Sequence, residues 1–236
     1  FMLENFPKGL SCPNVEGDGN TTSSGRKKIN SKSLIHNKDI KVFSIDGSTT
    51  TEIDDAFSVR EITDGYMIGI HIAAPALNPD LADAIADNIS TIYYPGNKIT
   101  MLPESMINEY SLWHKTSAPV VSIYFTLDNE FTILEYSSTV EIVDIADNLR
   151  IETLEEEFHT DSLEVDAGYA YEKELKILYQ FAGKLEEKRG KPSVNSMVLD
   201  YDFAFLNDKI IIEPRIRGNP IDKLVSELMI LANCTW

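Results

Sequence analysis

Apolar and polar positions alternate in short runs along most of the chain from residue 40 onward. IKVFSID (40–46), DAFSVREI (55–62) and GYMIGIHIA (65–73) are rich in β-branched and aromatic residues and are separated by turn chemistry. That pattern predicts three strands, with Asp64-Gly65 a tight hairpin turn. Val121, Ile123, Phe125 and Leu127 alternate with smaller or polar neighbours, and Phe131 to Val143 repeats the pattern after Asp128-Asn129, predicting a second antiparallel hairpin. Helical spacing takes over elsewhere. Leu81, Ala84, Ile85 and Ile89 follow Asn78-Pro79-Asp80 and predict a helix near 80–89, ended by a Tyr-Tyr-Pro-Gly loop. Leu175, Leu178, Tyr179, Ala182 and Leu185 share one face of a helix from about 166 to 189. Strands near 197–206 and 209–216 come next, then a helix from 219. Strands arriving in hairpins, with helices inserted as blocks, favour the α+β class with a mixed, largely antiparallel sheet over a doubly wound one.

Residues 1–38 are rich in Gly, Asn, Ser and Thr with no sustained apolar period, so they read as a linker or the end of a preceding domain, and 39–236 as the ordered domain. With 236 residues, 43% of them hydrophobic and 25% charged, the chain can bury a real core. It ends at Trp236 inside a helical pattern that carries no stop signal, which predicts that it is part of a longer protein. Cys12 and Cys234 lie near opposite ends, and neither a signal peptide nor a long apolar run is visible; a cytoplasmic protein with no membrane partner is expected. The net charge of −17, from 21 basic and 38 acidic residues, argues against a self-sufficient nucleic-acid binder. Any such grip must be local or supplied elsewhere.

The segment FSIDGSTTTEIDDAFSV (43–59) sets Asp46 at the end of one strand and Glu52, Asp54 and Asp55 at the start of the next. Four carboxyls converge on one turn. Grouping like charges is costly unless a cation neutralises them, and hard oxygen ligands with no Cys or His nearby suit Mg²⁺ or Mn²⁺ better than zinc. The EF-hand spacing fails: counted from Asp46, Thr51 falls where Gly is needed and Phe57 where a bidentate Glu is needed. A solvated acidic loop is the bland alternative. Carboxylate-held metal pairs commonly serve phosphoryl transfer, which makes phosphodiester hydrolysis the first functional expectation.

The same segment resembles the signature of the ribonuclease II (RNB) family, in which an Asp at a strand end is followed six, eight and nine residues later by further acids. IGIHIAAP (68–75), TIYYPGNKITMLPE (91–104) and RGNPIDKLVSELMILAN (217–233) are similar to further motifs of that family, in the same order, so the resemblance covers roughly residues 40–236. It implies the front part of an RNB catalytic domain: a magnesium-dependent 3′→5′ exoribonuclease that hydrolyses single-stranded RNA to nucleoside 5′-monophosphates. The alternative is a non-catalytic RNB-like RNA-binding or regulatory protein. By the family's roles Asp46, Glu52, Asp54 and Asp55 would hold metal, with Asp54 and Asp55 catalytic and Asp54 the acid whose loss most damages cleavage. Tyr93 would stack on the RNA 3′ end, or else be a packed loop tyrosine. Glu227 would contact the ribose near that end, or else cap a buried network, and Arg217 is a further candidate RNA contact. His71 receives a structural role, and solvated charge is expected for Lys188 to Lys191. Two departures stand out: Glu52 occupies a position where many members have Asp, and Ile151 replaces a tyrosine near the sugar site, which leaves RNA-versus-DNA discrimination open. The resemblance also implies a later arginine-rich segment and flanking RNA-binding domains, so this polypeptide alone is expected to be inactive or nearly so.

Overall fold

The computed structural model describes residues 34–86, 90–94, 97–190, 198–206 and 209–236. The chain runs β1 (Ile35–Asp46), β2 (Asp55–Ile62), β3 (Gly65–Ala73), α1 (Leu81–Ala84), β4 (Ile92–Tyr94), β5 (Asn97–Ile99) and α2 (Glu104–Tyr110). It continues through β6 (Ser117–Asp128), β7 (Ile133–Arg150), α3 (Ile151–Glu157), α4 (Glu172–Lys188), β8 (Val198–Leu206), β9 (Lys209–Arg217) and α5 (Pro220–Thr235). The class is α+β, and the main sheet closes into a five-stranded barrel in the order β1-β2-β3-β6-β7. Every neighbouring pair is antiparallel except β1 with β7, which run parallel and seal it.

Strand alternation explains the two cores. Val42, Ala56, Ala118, Val120, Val143 and Ile145 pack with Ile53 and Leu112 in one cluster inside the barrel. Phe43 and Phe57, next to Val42 and Ala56, and Ile123, Phe125 and Leu127, an odd number of residues along from Val120, point outward into a second cluster with Leu175, Leu178 and Phe181 of α4 and Leu224 and Leu228 of α5. Two helices therefore cover one side of the barrel, and strands there are buried on both faces. Complete burial of each such side chain contributes roughly 1.5–3 kcal/mol.

Several boundaries differ from the sequence expectation. The hairpin turn is Thr63-Asp64, because Gly65 already pairs with Ile62. At Gly65, φ is +154° and a Cβ would lie 1.9 Å from Leu127 O, so glycine is there for the close approach of β6. The helix expected over 80–89 is the single turn Leu81–Ala84, with only Ala84 buried, while Ile89 lies outside the described residues. Where a loop was expected after that helix, β4 and β5 pair, with Tyr93 opposite Lys98; Pro95 and Gly96 lie outside the described residues. Phe131 sits at φ 64° in the turn, and β7 starts at Ile133 and extends to Arg150, since pairing with β1 supports its polar end. Helix α4 starts at Glu172 rather than near 166; the Glu172 carboxylate accepts from Ala167 N (2.9 Å) and Gly168 N (2.7 Å), fastening a loop where an earlier turn of helix was expected. α2 and α3 went unforeseen. α5 begins as expected, with Asn219 accepting from Asp222 N at 2.7 Å.

Candidate active site

Because β1 and β2 are antiparallel, the end of β1 and the start of β2 lie at the same mouth of the barrel, and the loop 47–54 bridges them. Asp46 and Asp55 are the strand-end residues, and Glu52 and Asp54 come from the bridge. Backbone bonds pin that bridge at intervals. Thr50 N donates to Gly47 O (3.1 Å), Leu112 N to Ile53 O (2.9 Å) and Ala73 N to Asp54 O (2.8 Å). Arg150 Nη1 also donates to Gly47 O at 3.1 Å. Glu152, at the start of α3, accepts from Ser48 N (2.9 Å) and Ser48 Oγ (3.0 Å), and these bonds hold its pKa below the usual carboxylate range.

Like charges crowd this mouth. Burial pushes the Asp55 carboxyl up to about 7, with repulsion from Asp54 and Asp46 adding to it. Asp46 is raised by burial and by Asp54, against a hydrogen bond from Ser44 and the positive charge of Arg150. Asp54 is raised by desolvation first and by Glu52 as well. Asp46 Oδ2 and Asp55 Oδ2 are buried without a hydrogen-bond partner among the described residues. A buried, unpaired carboxylate oxygen costs several kcal/mol if it stays ionised. A hard divalent cation would remove that cost at both oxygens, so the residues fit one. Among the described residues no three His, Cys, Asp or Glu side chains form a ready-made metal cage.

Glu52 stands apart from the aspartates: its Oε1 lies 2.6 Å from Lys98 Nζ as an ion pair, without the alignment of a hydrogen bond. Tyr93, opposite Lys98 in the hairpin, is 75% exposed, so the packed-loop alternative fails and its ring is open to a ligand. Glu227 is buried on α5 and forms a two-pronged ion pair with Arg189, Nε to Oε2 at 3.1 Å and Nη2 to Oε1. Arg189 is therefore no solvated charge, contrary to the sequence expectation; a buried carboxylate needs a partner and recruits it. The side chain of Arg217, and Lys191, lie outside the described residues. His71 is fully buried inside the barrel between Ser58 Oγ (2.9 Å) and Ser122 Oγ (2.8 Å), which is a structural role.

Sequence reasoning missed Lys98, Asn148, Arg150 and Glu152. Lys98 could have been found from the hairpin register, had YYPGN been read as a turn between paired strands. The others act across the β1–β7 closure, which no local pattern announces.

A barrel with this acidic mouth is an RNB domain: the family model of that description matches residues 35–236, and the chain belongs to that family. Among its relatives, the mitochondrial exoribonuclease II of Saccharomyces cerevisiae is 27% identical over 230 residues, covering 83% of this chain and 23% of that protein. Mycoplasma genitalium RNase R in complex with ribose-methylated single-stranded RNA shares the fold at a TM-score of 0.72 and 18% identity, over 85% of this chain and 32% of that one. A yeast pseudonuclease shares it at a TM-score of 0.61 and 16% identity, over 84% of this chain and 25% of that one. The chain thus spans less than a third of the length of each of these proteins. No helix among the described residues is long and apolar enough to cross a membrane.

Proposed function

We propose that this chain carries the metal-binding half of a 3′→5′ exoribonuclease site that hydrolyses single-stranded RNA to nucleoside 5′-monophosphates. The observation that carries the reading is the pair of orphaned, buried oxygens on Asp46 and Asp55 at the mouth of an RNB barrel. Asp46, Asp54 and Asp55 hold Mg²⁺ or Mn²⁺, with Glu52 at the edge of the group. The ion, once bound, supplies Lewis-acid stabilisation of the scissile phosphate and an activated water. The protein's own part is to hold these carboxylates at one mouth, partly shielded from bulk solvent and repelling one another, so that a bound cation favours their ionised forms and charge developing on the phosphate meets a preorganised site. Tyr93 offers an exposed ring on which a terminal base can stack, worth roughly 1–3 kcal/mol per base. With a net charge of −17, the chain leaves most of the RNA grip to RNA-binding domains elsewhere in the same protein.

The raised carboxyls of Asp46 and Asp55, each with one unpartnered buried oxygen, favour this reading over a pseudonuclease, which has no need to keep mutually repelling acids. The deciding experiment follows 5′-labelled RNA with Mg²⁺ in the full-length protein, wild type and Asp54→Asn. Stepwise shortening from the 3′ end, lost by a factor of at least about 10² in the variant while RNA binding persists, is expected. Shortening from the 5′ end, or turnover unaffected by the substitution, would overturn it.

A further inference from the structure

Lys98 reaches the acidic mouth from outside the barrel. It is the direct cross-strand partner of Tyr93 in the β4–β5 hairpin, and its ammonium lies 5.9 Å from the Tyr93 ring centroid and 2.6 Å from Glu52 Oε1. Tyr93 is 75% exposed, whereas the Lys98 side chain is only 20% exposed. The lysine is therefore folded down between an open aromatic face and a group of carboxylates. Both side chains are largely withdrawn from water, 20% and 23% exposed, where desolvation offsets much of their attraction, so stability is a poor reason to hold a long, flexible side chain there.

Charge supplies a better one. A phosphodiester nearing Asp46, Glu52, Asp54 and Asp55 is repelled, and two like charges 4 Å apart oppose each other by about 1 kcal/mol even in bulk water and by more near a protein surface. Arg150 lies on the Asp46 side with Nη1 turned to the Gly47 carbonyl. Lys98 lies on the Tyr93 side, and with one face of its ammonium turned to Glu52 at 2.6 Å, two of its three N–H donors remain for a ligand.

We propose that Lys98 is a substrate contact: Tyr93 stacks the 3′-terminal base while the Lys98 ammonium, tethered by Glu52, takes the phosphate that joins that nucleotide to the next. Glu52 then serves chiefly as the tether, and the three aspartates hold the metal. The inference rests on the exoribonuclease reading but concerns binding, so it can be tested separately from turnover.

The test is equilibrium binding of single-stranded RNA to the protein in EDTA, where no cleavage occurs, over a series of KCl concentrations. Each phosphate contact on a single strand contributes about 0.7 to the slope of log K against log salt. Lys98→Met should weaken binding and flatten the slope by about 0.7, Lys98→Arg should restore it, and Glu52→Gln should weaken binding with the slope kept. A second arm leaves the protein intact: RNA with a neutral methylphosphonate at its last linkage should bind the wild type as weakly as ordinary RNA binds Lys98→Met, and should lose nothing further in that variant. A wild-type slope in Lys98→Met, or additive losses in the second arm, overturns the proposal. Mg²⁺-dependent shortening by the wild type alongside either of those results would sink the Lys98 contact alone. The expected slopes without any shortening in Mg²⁺ by the full-length protein would sink the exoribonuclease reading and leave the contact standing.

Discussion

Asn148 Nδ2 donates to Ser44 Oγ across 2.9 Å, joining β7 to β1 where the two strands run parallel. The same amide donates to Leu112 O at 2.8 Å, and Asn148 Oδ1 accepts from His114 N at 2.7 Å. Ser44 in turn hydrogen-bonds the Asp46 carboxyl, and Leu112 N holds Ile53 O between Glu52 and Asp54. One side chain thus fixes both arms of the acidic turn relative to each other.

Asn148→Ala leaves Leu112 O and His114 N without that partner, at a cost of about 1–3 kcal/mol. The urea midpoint should fall accordingly. Because the arms lose their common brace, Mg²⁺ affinity by calorimetry should also fall several-fold; unchanged affinity in a destabilised variant would detach Asn148 from the site.

Glu227 and Arg189 give a double-mutant cycle. Removing one partner of a mostly buried pair strands the other, at about 3–5 kcal/mol when fully buried, and rather less here because the Arg189 side chain is 33% exposed. Arg189→Met should lower the denaturation midpoint sharply, and adding Glu227→Leu should recover much of the loss. Additive losses would show that the two do not act as a pair.

His71 makes the fold acid-sensitive. Burial lowers its pKa from 6.5 to about 3, so the unfolded chain binds the extra proton first, and the stability His71 contributes above pH 6.5 is lost as pH falls toward 3. Relative to His71→Asn, the wild type should lose about 1.4 kcal/mol per pH unit between pH 6 and pH 4. Parallel stability profiles for the two proteins would contradict it.

Asp55 works in the opposite sense. Its folded pKa of about 7 lies above the 3.8 of an unburied aspartate, so its contribution is fully present below pH 3.8 and lost as pH rises through 7. Without divalent metal, Asp55→Asn should be more stable than the wild type at pH 8 and not at pH 3.5. Mg²⁺ should raise the wild-type melting temperature at pH 8 and raise that of the variant much less. An equal rise in both would remove Asp55 from the metal site.

The strands Asp55–Ile62 and Gly65–Ala73 and the start of the last helix were legible because their signals are local: period-two alternation, a two-residue turn, and Asn219 before Pro220. The four acids were legible for the same reason, since ten residues of chain hold them all. α1 shrank to one turn because local spacing does not reveal how little of that face finds a core, with only Ala84 buried.

Sequence by itself determined the α+β class, the bounds of the central strands and the acidic turn, because these depend on side-chain alternation and on residues close along the chain. Only the tertiary structure decided that the sheet closes, that Asn148 braces Ser44 from 104 residues away, that Arg189 serves Glu227 and that Lys98 lies between Tyr93 and Glu52. Those relationships arise when β7 returns beside β1 and when the helices and the β4–β5 hairpin fold back on the barrel. Burial and charge pairing are fixed by what arrives across space, and a one-dimensional pattern does not encode it.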